Sequence, residues 1–197
     1  SVAVPDSVTS IGDQAFWFCS GLTSVTIPNS VTSIGEMAFG SCTGLTSVTI
    51  PNSVTSIGGG AFGNCSDLSE INIFDLTAWC KIEFKNGNPW FDTKTLKLNG
   101  VEITDLVIPD GITKIKTSTF ANIKSLTSTT IPNSVTEIEE GAFYGCTGFT
   151  ELIIEDGAES LSLGYEIGWA LEKLYLGRNL SYEKYPFSGM STLEEVT

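Results

Sequence analysis

Apolar positions recur along the chain every 23 residues, and their spacing inside one period predicts its shape. In residues 22–44, LTSVTIPNSVTSIGEMAFGSCTG, Leu22, Val25 and Ile27 follow an L-x-x-L-x-L pattern. That pattern marks a short strand whose alternate side chains face a core. Pro28 and Asn29 then turn the chain, because proline has no N–H to continue a ladder and asparagine suits a bend. Val31 and Ile34 form a second apolar pair, predicted as a short strand or extended run on the opposite wall. Ala38, Phe39 and Cys42 fall at spacings of one, three and four, which a single helical turn gathers onto one face. Gly44 ends that turn and releases the next leucine.

The unit recurs almost letter for letter at 45–67 and more loosely at 126–148. One such unit cannot bury its own apolar set, so it needs a neighbour above and below. The period therefore predicts a stacked repeat. The pattern L-x-x-V-x-I-P-x-x-V-x-x-I-x-x-x-A-F-x-x-C resembles the BspA-like leucine-rich repeat family, a bacterial type of leucine-rich repeat, over nearly the whole chain. The resemblance implies a right-handed solenoid with one long parallel sheet, short second-wall strands and single helical turns. It also implies a secreted or surface-attached protein that serves in adhesion.

The last apolar residue of each strand gives the markers Val4, Ile27, Ile50, Ile73, Ile108, Ile131, Ile154 and Leu176, with a truncated strand at 193–197. The steps are 23, 23, 23, 35, 23, 23 and 22. Residues 1–197 thus read as a single solenoid of about eight units, cut mid-repeat at both ends and taken from a longer array. Nine strands about 4.8 Å apart make a sheet about 40 Å long. A phenylalanine ladder runs Phe16, Phe39, Phe62, Phe120, Phe143, Phe187. The 35-residue step contains an excursion at 74–102 with Trp79, Trp90, Phe91 and turns at Asn86-Gly87 and Asn99-Gly100. Leu96, Leu98, Val101 and Ile103 around the second turn read as a hairpin leading into a strand at 103–108. Insertions in repeats often form recognition loops, but the apolar alternation favours a variant repeat that folds its aromatics into the core. Residues 155–177 form a second variant, with Tyr165, Ile167 and Trp169 in the region of the lost Ala-Phe-x-x-Cys turn and Leu161 and Leu163 on the second wall.

Charge narrows the partners. The chain has 23 Asp and Glu against 10 Lys and Arg, a net charge of −13. Nucleic acid and anionic membrane surfaces need clustered cations and are therefore poor partners, and no nucleic acid is expected. Residues 1–73 hold five acids and no base, whereas 137–197 hold twelve acids and three bases; the acids read as solvated surface. No signal-peptide pattern, long apolar run or polybasic stretch is present, which fits a chain separated from its targeting segments. No direct membrane insertion is expected.

The sequence offers no catalytic constellation. It has no histidine, which removes the usual base at neutral pH and the commonest metal ligand. It carries no phosphate-binding loop, dinucleotide fingerprint or zinc motif. Gly58-Gly59-Gly60 is turn filler, and the pairs Glu139-Glu140 and Glu155-Asp156 read as surface acids rather than a glycosidase dyad. Cys19, Cys42, Cys65 and Cys146 share a slot that also takes Ile123 and Met190, so they read as buried, reduced thiols acting as small hydrophobes. Cys80 is unassigned. The sequons at Asn64 and Asn179 are read as incidental in a chain of bacterial type. Neither a cofactor nor a metal is expected.

What remains is the outward face of the strands, where side chains alternate with buried ones. Ser24, Thr26, Ser47 and Thr49 form a bland stretch. Beyond it the face presents Glu70, Asn72, Asp105, Val107, Ser128, Thr130, Glu151, Ile153, Lys173 and Tyr175. Tyrosine and exposed isoleucine are better anchors than serine, so these ten positions, with the 74–102 excursion beside them, are the candidate binding surface. The expected partner is a macromolecule, a protein first, with host matrix proteins and glycans included. Three functions are in view: an extracellular binding or adhesion module, a structural spacer presenting another domain, and, least supported, an enzyme. Oligomeric state is left open. The face assignment has a direct check: Phe39→Ala should cost about 3–5 kcal/mol in a denaturant melt, whereas Ser47→Ala should stay within about 0.5 kcal/mol of wild type.

Overall fold

In the computed structural model, every residue is described except 86–88, 91, 93, 165–170, 183–193 and 197. Phe91, Phe187, Met190, the Asn86-Gly87 turn, and Tyr165, Ile167 and Trp169 of the second variant lie outside the described residues. The chain divides into two compact units, Ser1–Glu102 and Ile103–Thr197. Each is a parallel β-solenoid whose coils carry a first-wall strand, a second-wall strand and a turn segment.

In the first unit, Val2–Ala3 pairs with Val25–Thr26 on the first wall. Ser47–Thr49, Glu70–Ile73 and Thr95–Leu98 continue that wall as parallel neighbours, and Val101–Glu102 folds back antiparallel on the last of them. The second wall is Ser10–Ile11, Ser33–Ile34, Ser56–Gly58 and Glu83–Lys85, all parallel. In the second unit the first wall is Asp105–Val107, Ser128–Ile131, Glu151–Ile154, Lys173–Leu176 and Glu195–Val196. Its second wall is Lys114–Ile115, Glu137–Ile138, Leu161–Leu163 and Leu180–Tyr182. Val48, Ile71, Leu106, Leu152 and Leu174 point inward from the first walls, and Ile34, Ile57, Ile115 and Ile138 from the second.

The sequence pattern joins the coils by three side-chain devices. Each Pro-x-x-Val corner is a tight turn: Val31 N–H donates to Pro28 at 3.1 Å and Val54 to Pro51 at 3.1 Å. The serine and threonine flanking that valine reach to the preceding coil. Ser30 Oγ donates to the Val8 carbonyl and Ser53 Oγ to that of Val31, both at 2.7 Å. Thr32 and Thr55 hydroxyls donate to the carbonyls of Thr9 and Thr32 at 3.2 and 3.1 Å. The third device is the cysteine: Sγ of Cys42, Cys65 and Cys146 donates to the carbonyls of Phe16, Phe39 and Phe120 at 3.1, 3.1 and 3.0 Å. The slot is therefore more than a hydrophobic position, since its thiol is also a weak donor.

The Ala-Phe-x-x-Cys segment reaches its shared face without being a helical turn. Met37 and Ser41 have φ of 52° and 60°, and Gly60 and Asn64 have 60° and 56°. Gln14 and Phe18, Ser118 and Asn122, and Gly141 and Gly145 repeat the pair of left-handed residues. A left-handed residue every fourth position breaks an α-helix. In exchange, alternate amides face the next coil. Met37, Phe39 and Ser41 donate to Gly59, Ala61 and Gly63 at 3.2, 2.7 and 2.8 Å, while Ala38, Gly40 and Cys42 donate back within the turn. A helix would direct every amide along its own axis and leave the neighbouring carbonyls unpaired.

The excursion contributes a coil to the first unit. Asp75 caps a short helix, Leu76–Lys81, by accepting from the N–H groups of Thr77 and Ala78. Glu83–Lys85 then takes its place on the second wall and Thr95–Leu98 on the first. Trp90 supplies the missing rung of the aromatic ladder: Phe16, Phe39 and Phe62 stack at 5.1 and 5.3 Å, and Trp90 follows Phe62 at 6.3 Å and stacks on Trp79 at 5.8 Å. Both tryptophans are fully buried. The excursion's two tryptophans are thus core residues.

In the second unit, Phe120, Phe143 and Phe149 stack at 5.3 and 5.4 Å. The variant coil lacks the corner serine, and Arg178 serves instead. Its Nη1 and Nη2 donate to the carbonyls of Asn133 and Pro132 at 2.9 and 2.8 Å. The guanidinium stem passes over Gly157, where an added Cβ would lie 3.0 Å from Arg178 Cδ.

Two expectations follow. All five cysteines are free thiols; Cys19 is exposed, contrary to the buried reading of its slot, whereas the other four are buried. Burial pushes Cys42 up to about 11 and Cys80 and Cys146 up to about 12. Iodoacetamide should therefore modify Cys19 first in native protein, and the other four only after denaturant is added, as read by mass spectrometry. Thr129 occupies an inward strand position, and among the described residues its buried hydroxyl has no partner. Thr129→Val should raise stability by about 1 kcal/mol in a urea melt.

Candidate functional site

The ten outward residues fall into two sets, one on each unit. In the first unit Glu70 and Asn72 stand between Ser47 and Thr49 on one side and Thr95 and Lys97 on the other. Glu70 is engaged within the protein, its carboxylate 2.6 Å from Lys97 Nζ. Both side chains are partly exposed, so water screens the pair and its worth is under about 1 kcal/mol.

The second unit brings the other eight together. Parallel pairing in register aligns Asp105, Ser128, Glu151 and Lys173 in one column and Val107, Thr130, Ile153 and Tyr175 in the next. Asp105 accepts from Ser128 Oγ at 2.7 Å and Thr104 Oγ1 at 3.1 Å. These hydroxyls, Ser128 first, hold its carboxyl below the usual carboxylate range. Val107 is 62% exposed, and Thr130, Ile153 and Tyr175 are half-buried. The column is thus a mostly apolar track on a sheet face, bordered by charge.

Reading the chain by its period places Leu176 inward as the last strand residue, yet it is 37% exposed. Beside it lies an open depression lined by Ile154, Glu155, Asp156, Tyr175, Leu176 and Gly177. A second groove escaped the sequence reading because it lies on the second wall, where Thr117, Glu137, Glu139, Ser162 and Tyr182 line an open surface. Its acids are tied into the protein. Lys114 Nζ lies 3.0 Å from Glu137 and 2.9 Å from Glu139, and Glu139 also accepts from Thr117 N–H at 2.8 Å. Burial works to raise the pKa of Glu139, but the Thr117 and Lys114 contacts outweigh it and the net shift is downward. Among the described residues no group of three or more metal-ligating side chains comes together, and no helix is long and apolar enough to cross a membrane.

The profile of the BspA type Leucine rich repeat region matches residues 1–88 and 97–197, in six copies. The chain belongs to the BspA-type leucine-rich repeat family. Among solved structures this BspA-type chain is similar to the Leucine Rich Repeat protein of T. pallidum, at 24% identity and a TM-score of 0.55, over 86% of this chain and 75% of that one. At that identity the likeness shows the fold alone. It is also similar to a leucine rich cell surface protein from Faecalibacterium prausnitzii A2-165, at 27% identity and a TM-score of 0.50. That match covers 98% of this BspA-type chain and 58% of the other. No curated protein matches the sequence.

The Lys114–Glu139 contacts carry a pH dependence. The pKa of Glu139 in the fold lies below its ordinary 4.5, so its stabilisation is complete above that value and lost as pH falls through the folded value. Glu139→Gln should be less stable than wild type in urea melts at neutral pH, and the gap should close in acid.

Proposed function

We propose that this chain is an extracellular binding module of a bacterial surface or secreted protein, and that it docks a macromolecular partner, a protein first, on the sheet face of its coils. The observation that carries this reading is the column Val107, Thr130, Ile153, Tyr175, a mostly apolar track held on a rigid sheet. In the first unit, by contrast, Ser47 and Thr49 present the repeat's own hydroxyl residues. Sheet residues held in register lose little freedom on binding, and a few aromatic and aliphatic anchors supply most of the energy of an interface. The family, and the relative described as a cell surface protein, support the location. The reading is of a non-catalytic module, and it assigns no role to a cofactor, nucleic acid or bilayer.

A second reading, a spacer that presents another domain, is favoured by the near-identity of residues 22–44 and 45–67, whose outward first-wall strand positions Ser24, Thr26, Ser47 and Thr49 carry only short hydroxyl side chains. The two readings divide on one experiment. The protein is screened against immobilised host matrix proteins and glycans, and the bound partner is titrated against variants. Tyr175→Ala and Glu151→Lys should each weaken binding by about tenfold or more, whereas Thr26→Ala should leave it unchanged. Binding that survives both changes places the partner elsewhere, and the absence of any partner favours the spacer.

A further inference from the structure

We propose that Asn99 is a self-modifying site: within the folded hairpin the backbone nitrogen of Gly100 attacks the Asn99 side-chain carbonyl, and the residue ends as aspartate or isoaspartate. Asn99 and Gly100 form the whole loop between the strands Thr95–Leu98 and Val101–Glu102 of the first unit, where Val101 pairs with Leu98 and Glu102 with Lys97. Two-residue hairpin loops adopt type I′ or type II′ turns, whose twist matches that of the strands. Asn99 has a φ of 52° and Gly100 one of 80°, and two positive values in succession mark type I′. Both residues are exposed, and a Cβ placed on Gly100 would meet nothing within 4 Å. The loop is therefore open to water and has room to move.

The two turn types share a φ of about +60° at the first loop residue and differ in its ψ, about +30° in type I′ and about −120° in type II′. At the first value the Gly100 nitrogen stands nearly opposite Asn99 Cβ across the Cα–C bond and cannot reach the side chain. At the second the two are nearly eclipsed, and the nitrogen faces Cγ as closure of a five-membered ring requires. One flip of the Asn99–Gly100 peptide plane connects these states, and the hairpin keeps its two-residue loop in both. Asn99 already holds the shared φ. Gly100 accepts the reversal of its own φ because it has no side chain. Type II′ usually has glycine in the first position, so asparagine visits it as a minor state. In that state the Gly100 nitrogen bonds to Cγ, its proton passes to the departing amide, and ammonia leaves. Water then opens the succinimide, at the side-chain carbonyl to give aspartate or at the backbone carbonyl to give isoaspartate. Aspartate keeps the turn, since it also tolerates a positive φ. Isoaspartate routes the main chain through Cβ and lengthens the loop, which is incompatible with the Val101–Leu98 register and with the 2.9 Å bond from Asn99 N–H to the Ile73 carbonyl.

Ageing of the folded protein at mildly alkaline pH, followed by peptide sequencing in the mass spectrometer, tests this. The expected result is loss of asparagine at position 99, with aspartyl and isoaspartyl peptides in its place, ahead of Asn29, Asn52 and Asn133, which each precede serine. The rate at Asn99 should not change in urea below the unfolding transition, because a peptide flip exposes no buried surface. Asn99→Gly suits either turn, so it should keep the circular dichroism of the wild type and yield neither product at this position. The isoaspartyl form, separated by ion exchange, should lose amide protection at residue 99, and the aspartyl form should retain it. Asparagine 99 left intact while an Asn-Ser site converts, or a rate that climbs with urea as unfolding does, would overturn the site. Full protection at residue 99 in the isoaspartyl form would overturn its effect on the hairpin.

Discussion

The constraint on which the structure depends is that each coil's polar backbone finds its partners in the equivalent positions of the next coil. Parallel strands in register do this on both walls. In the turn segments, where no strand exists, the left-handed residues at 37 and 41 rotate alternate amides towards the neighbouring coil. Ser53, Thr55 and Cys65 add side-chain donors to the same interface. Because an equivalent atom must wait in each neighbour, the sequence has to repeat, and the near-identity of 22–44 and 45–67 follows from bonding. Positions that face neither the core nor the next coil are released from this demand. Those are the positions where Val107, Ile153 and Tyr175 depart from serine and threonine.

This explains what could be read from residues alone. Phe39, Val31 and Ile34 announce themselves as core because their period is exposed in the letters, and the parallel walls follow from it. The turn geometry was less visible, since the left-handed slots hold Gln14, Met37 and Ser118 as well as Gly60 and Gly141. Only the glycines and Asn64 and Asn122 hint at it. The excursion was visible as an irregularity, but Pro89-Trp90 does not match Ala-Phe by letter, so its ladder rung emerges only when Phe62 N–H is seen to donate to Pro89. Arg178 was invisible for a similar reason: its partners lie 45 and 46 residues back, across an intervening coil.

The candidate surface was legible as a face and less so as a site. Alternation along a strand places Val107 and Tyr175 outward, and the register then aligns them. Leu176 falls on the inward phase of the same alternation, so its exposure is not legible from the period.

The account makes the turn segments, and not the strands alone, carriers of coil-to-coil bonding. Amide hydrogen exchange read residue by residue tests that most directly. The N–H groups of Met37, Phe39 and Ser41 should exchange as slowly as those of the first-wall strand Ser47–Thr49, because each donates to the following coil. If those three exchanged at the rate of an open loop while Ala38, Gly40 and Cys42 remained protected, each turn would be held by its own internal bonds, and the account would be contradicted.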